Sequence, residues 1–165
     1  SFSRLLTMEK VRAEILDTGS GLATSARIEI SAPARDIFNL IADPRCHHLF
    51  DGSGTVQGSI SGPTRLHLGA KFGMAMKIRL PYRITNTVVA FEEGRKISWC
   101  HLMKWTWNYE LEELANGKTR VTETFDAREV PFFAKRWLKM TGAMSYNPKW
   151  IAKSLVRLKA ICETN

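Results

Sequence analysis

Cysteine is scarce and poorly placed in this chain: Cys46, Cys100 and Cys162 are an odd set of three with no close pair. That argues against a disulfide scaffold and makes a reducing compartment, the cytoplasm, the expected setting. Uninterrupted apolar runs reach only a few residues, far short of the roughly 20 that a bilayer-crossing helix needs. Residues 1–7 contain no apolar core long enough for a secretory signal. Neither a repeat of fixed period nor a low-complexity tract appears. The nucleophile elbow, the Ser/His/Asp order and the phosphate-cradling G-x-x-x-x-G-K-[ST] are all missing, so nothing points to a hydrolase or kinase. Cys46, His47 and His48 are adjacent, and side chains of neighbouring helical residues point about 100° apart. With no C-x-x-C or H-x-x-x-H partner, no metal or other cofactor is expected.

What the chain does have is apolar and basic character. Of 165 residues, 44% are hydrophobic and 10% aromatic, well above a disordered composition. A chain of this size buries roughly 70% of its unfolded surface in one core. Lys and Arg number 24 against 16 Asp and Glu, for a formal charge of +8. Residues 131–165 contribute +6 of that, from seven bases between Lys135 and Lys159 and one acid, Glu163. Such an end suits an anionic membrane surface or RNA. A solvated helix face explains it as well, because the bases alternate with an apolar stripe.

The pattern of periods divides the chain. Residues 1–23 read as an appended arm, helical or extended, closed by the breakers Asp17–Gly21. Residues 25–31 alternate as a first strand. Pro33 then suits the first turn of a short helix, and Asp43-Pro44 ends it. A second short helix over 44–50 leads to the turn 51–54. Period two follows over 55–59, 65–68, 71–80, 82–91, 96–103, 106–114 and 119–128. Glu93-Gly94 and Asn116-Gly117 mark hairpins, and Leu80-Pro81 marks a break. Pro131 opens a helical end in which Tyr146-Asn147-Pro148 either kinks one helix or separates two, with Asn147 capping the second. Met140, Met144, Ile151, Leu155, Leu158 and Cys162 form its apolar stripe. The expected class is therefore α+β: a curved antiparallel sheet of six to seven strands against a long C-terminal helix, with two short helices after the first strand.

Residues 30–44 (ISAPARDIFNLIADP), with 88–92, 95–99 and 117–122, resemble the START/Bet v1-like (SRPBCC) superfamily, and in particular its polyketide cyclase/dehydrase and lipid-transport-like branch. The likeness covers residues 24–163, which read as one domain. It implies a helix-grip fold, a sheet wrapped around the terminal helix with an apolar cavity between. Most such proteins bind a lipid, sterol, quinone or polyketide; some cyclise or dehydrate polyketides. Asp51–Val56 (DGSGTV) also matches members in which a histidine precedes this turn near the cavity mouth, and His48 takes that place here.

Alternation itself nominates a lining. Phe72, Met74 and Met76 share one strand face, as do Trp99 and His101, Trp107 and Tyr109, and Glu123 and Phe125 on their own strands. Met144 and Leu155 join from the helix. Trp99, Trp107 and the methionines would grip an apolar ligand while His101, Tyr109 and Glu123 orient its oxygens. The alternatives are a packed core with these three polar groups bonded to one another, a cyclase/dehydratase using His101 and Glu123 as a proton-transfer pair, and an adaptor acting through the basic helix.

Overall fold

A computed structural model describes residues 10–164, so the reading of residues 1–7 lies outside the described residues. β1 (Glu14–Leu16) and β2 (Ala23–Ile30) pair antiparallel. α1 (Ala34–Ile41), a 3₁₀ turn (Pro44–Cys46) and α2 (His47–Phe50) follow. The meander comprises β3 (Val56–Ser61), β4 (Lys71–Ile78), β5 (Leu80–Glu92), β6 (Lys96–Cys100), β7 (Thr106–Glu113) and β8 (Thr119–Asp126). α3 (Phe132–Thr141) and α4 (Ala143–Glu163) end the chain. All eight strands form one antiparallel sheet in the order β1-β2-β8-β7-β6-β5-β4-β3. β2 and β3 lie far apart in that order, and the α1–α2 crossover bridges them. This is the helix-grip arrangement, and no described helix is long and apolar enough to cross a membrane.

The sheet has eight strands rather than six or seven because part of the N-terminal arm joins it: Ile15 pairs with Ala26. Residues 65–68 form no strand; they are a loop in which buried Leu66 donates its N–H to the Ala42 carbonyl at 2.7 Å. Pro81 lies inside β5, opposite Lys77, beside the hairpin tip at Arg79. A proline is tolerated so near a strand start, where few ladder bonds are at stake. Gly94 and Gly117 do take positive φ in their hairpins.

The helical end divides at Gly142, not at 146–148. Gly142 has φ 68°, a left-handed geometry that costs glycine little and stops α3. Pro148 sits inside α4, and Asn147 is a buried residue of that helix rather than its cap. Since the break precedes the stripe's second member, spacing does not carry from Met140 to Met144: Met140 is 76% exposed. Ile151, Leu155 and Leu158 are fully buried, each worth roughly 1.5–3 kcal/mol relative to exposure.

α4 packs chiefly on β2, with lesser contacts to α2 and β8. Its bases help to anchor it: Arg157 donates to the Asp51 carbonyl, and Lys159 bonds the Glu29 carbonyl at 2.8 Å and Glu163 at 2.6 Å. Because α4 lies over one end of the sheet, the concave face of β4–β8 is left partly uncovered. That is where the site sits.

Candidate functional site

Between the sheet, α2, α3 and α4 lies a cavity of about 670 Å³. Its wall is mostly aromatic and thioether. Met74 and Met76 come from β4, Trp99 from β6, Trp107 and Tyr109 from β7, and Glu123 and Phe125 from β8. Period two puts them there, and register stacks them in rows: Trp99 pairs with Trp107, which pairs with Phe125, and Tyr109 pairs with Glu123. Trp107 and Phe125 meet edge to face at 4.8 Å between ring centres. His101 lies just past β6, in the connection to β7, and also lines the cavity.

Four expected residues stand elsewhere. Phe72 and Leu155 are fully buried and pack behind the wall, Phe72 edge-on to Trp99 at 5.7 Å. Met144 is half-buried on α4, its sulfur facing the Asn147 amide at 3.9 Å, outside the lining. His48 is exposed and does not reach the cavity; its neighbour His47 does. The signal for that was spacing: Pro44, His47 and Phe50 recur at intervals of three and are all buried, so they share the inward face.

His47 is held from two sides. Its ring stacks on Trp99 at 4.8 Å and 17° between planes, and its Nε2–H donates to the Ile41 carbonyl at 2.8 Å. Burial pushes its pKa down to about 4, so the ring is neutral near pH 7 and its Nδ1 is an acceptor.

Glu123 is the electrostatic centre. Its side chain is buried, and its Oε2 meets no hydrogen-bond partner among the described residues. Desolvation pushes its pKa up to about 8; the Tyr109 phenol works against that shift and Asp51 adds to it. The carboxyl is therefore mostly protonated at pH 7 and can donate as well as accept. Tyr109 is raised well above its ordinary range, first by burial and then by Glu123, and stays a neutral phenol.

The proton-transfer pair of His101 and Glu123 is not formed. Cys100 is level with Thr106 and hence with Asp126, so His101 lies two strands and about four residues from Glu123. Strand geometry makes that on the order of 15 Å between Cα atoms, beyond direct reach. The His101 Nδ1 instead accepts from the Met103 N–H at 3.1 Å, and the ring meets Trp105 edge-on at 4.4 Å. Partial burial lowers its pKa. The bonded polar trio is likewise not made, because His101 bonds the Met103 N–H and not Glu123, whose Oε2 has no partner among the described residues.

Alternation along β5 also puts Tyr82, Ile84 and Asn86 on the wall, the same period-two signal that marks the neighbouring strands. Trp137 of α3 and Asn147, Trp150 and Ser154 of α4 needed the tertiary fold. Ser154 ties the wall together, its Oγ accepting the Gly52 N–H at 2.7 Å. A side chain on Gly52 would strike the Trp150 carbonyl and come within 2.6 Å of the Ser154 nitrogen, so the turn after α2 and α4 touch through bare backbone.

The crystal structure of protein Ms6760 from Mycobacterium smegmatis has the same fold, with a TM-score of 0.69 at 16% identity over 93% of this chain and 99% of that one. The solution structure of the Polyketide_cyc-like protein Cgl2372 from Corynebacterium glutamicum gives 0.60 at 19% identity, covering 87% and 92%. In sequence, the uncharacterized protein Rv0088 of Mycobacterium tuberculosis is 40% identical over 147 residues, which are 87% of this chain. The chain spans 65% of the length of that relative. A model of the family described as polyketide cyclase / dehydrase and lipid transport matches residues 22–163, and the chain belongs to that family.

Proposed function

We propose that this chain binds a hydrophobic small molecule bearing an oxygen acceptor, such as a quinone, polyketide or oxygenated lipid, with that oxygen toward Glu123. The carrying observation is the buried Glu123 carboxyl on the wall of a mostly apolar cavity, its Oε2 without a partner among the described residues. A buried polar atom without a partner is costly in a folded protein, and rotation of the Glu123 carboxyl toward the cavity would let a ligand oxygen supply the missing bond. The volume falls in the range of small-molecule sites, roughly 300–1,000 Å³. Trp99, Trp107 and the two methionines supply the apolar grip. Membership in a family described by both cyclase and lipid-transport activity supports ligand binding.

Tryptophan emission tests this directly, because Trp99, Trp105 and Trp107 line the cavity. A naphthoquinone and a naphthalene of equal ring size are titrated against the parent, Glu123→Leu and Trp107→Ala. The quinone binds the parent at least tenfold tighter than the hydrocarbon, Glu123→Leu removes that preference, and Trp107→Ala weakens both. Equal affinity of the two probes for the parent, or a preference that survives Glu123→Leu, refutes the assignment.

A further inference from the structure

The residues that both line the cavity and are exposed mark where it opens: Ile78 and Tyr82 of the β4–β5 hairpin and Trp137 of α3. Around this mouth the surface is unusually apolar. Leu80 at the hairpin, Leu102 between β6 and β7, and Phe132, Phe133 and Met140 on α3 are between 66% and 92% exposed. The β6–β7 connection and α3 are held together, since Trp105 stacks on Trp137 at 5.9 Å and 14°. Isolated exposed apolar residues need no explanation, but eight on the segments around one cavity mouth mark an interaction surface.

The charge on the same segments chooses among occupants. The segments that carry these residues, 76–91, 100–109 and 131–141, contain no Asp or Glu, while the half-buried Asp51 lines the cavity from the turn after α2. They carry Lys77, Arg79 and Arg83 on the hairpin, Lys104 beside Leu102, and Arg136 and Lys139 on α3. All six are exposed, and none pairs with a carboxylate among the described residues. Aromatic and aliphatic side chains encircled by unpaired bases match the interface of an anionic bilayer, where the apolar groups enter below the headgroups and the bases meet phosphates. A second copy of the chain would set one basic ring against another. RNA would match the bases but leave Leu80, Leu102, Phe133 and Met140 without a use.

We infer that this face docks on anionic phospholipid membranes, placing the cavity mouth against the bilayer. The cavity's contents would then exchange with the apolar layer without crossing water.

Co-sedimentation of the full chain with vesicles of phosphatidylcholine, alone or mixed with phosphatidylglycerol, tests this. The chain sediments with the mixed vesicles at low ionic strength and at least tenfold less with phosphatidylcholine alone. Raising salt from about 0.1 to 0.5 M releases it, as expected when the Debye length shortens. Phe133→Ser with Met140→Ser, and separately Arg136→Glu with Lys139→Glu, each weaken sedimentation at least tenfold; all four residues are exposed, so the fold is preserved. Glu123→Leu and Trp107→Ala leave it unchanged, which separates failure of docking from failure of the cavity assignment. Sedimentation unaffected by either double variant, tighter binding to RNA than to mixed vesicles, or a solution dimer dissolved by Phe133→Ser with Met140→Ser would overturn the inference.

Discussion

Glu123 stands directly across the β7–β8 ladder from Tyr109, both side chains are buried, and one oxygen of the Glu123 carboxyl has no partner among the described residues. A core selected for stability alone would hold an aliphatic residue here, because an unpaired buried polar atom costs about 1–3 kcal/mol. Glu123→Leu, similar in volume, should therefore raise stability by about 1–2 kcal/mol while reducing affinity for the quinone probe. Chemical denaturation and the fluorescence titration read the two effects. A destabilised variant that binds normally contradicts this account.

Stability should respond to pH through two groups of opposite sign. The Glu123 pKa is raised from 4.5 to about 8, so the folded protein holds more protons than the unfolded chain between those values. Its contribution is complete below about pH 4.5 and is lost as pH rises through 8. The His47 pKa is lowered from 6.5 to about 4, so the folded protein holds fewer protons in that window, and this contribution is gained as pH rises from 4 to 6.5. The two largely offset between 4.5 and 6.5, and Glu123 alone acts above that. Melting temperature should fall between pH 6.5 and 8.5, and Glu123→Gln should flatten that fall. An unchanged slope in the variant assigns the titration elsewhere.

His47 also has a structural duty, satisfying the carbonyl at the end of α1 while stacking on Trp99. Phenylalanine would keep the stack and lose the bond. His47→Phe should cost about 1–3 kcal/mol in a urea titration. It should also remove the offset to Glu123, so that stability rises as pH falls from 6.5 to 4.5, where that of the parent stays nearly level. A variant as stable as the parent at pH 7 would show that water replaces the ring at Ile41.

The contact between α4 and the turn after α2 makes a sharper prediction. Gly52→Ala would force the Trp150 carbonyl and the Ser154 backbone apart, an overpacking worth about 1–3 kcal/mol or more. Ser154→Ala would only strand the Gly52 N–H, at a cost of about 1–3 kcal/mol. Thermal melts should place both below the parent, and the quinone probe should bind less well to Gly52→Ala because its wall has shifted. Equal melting of Gly52→Ala and the parent rules out this close approach.

Period-two alternation was readable without coordinates, because a strand's side chains point to alternate faces whatever the strand packs against. It identified Met74, Met76, Trp99, Trp107, Tyr109, Glu123 and Phe125 as one face, and all of them line the cavity. The antiparallel sheet and the terminal helix followed from the same local signals. Other features depended on partners distant in sequence. Leu155 carries the same apolar signal as a lining residue, and only the seat of α4 on β2 turns it into the core. His47 and His48 are adjacent and chemically identical, and the packing of a single short helix turn selects the first. The separation of His101 from Glu123 is set by ladder register across three strands, to which no local pattern refers. Local sequence thus decided which way each side chain points along its own element. Tertiary packing decided which of those directions meet, because that depends on where elements far apart in the chain come to rest.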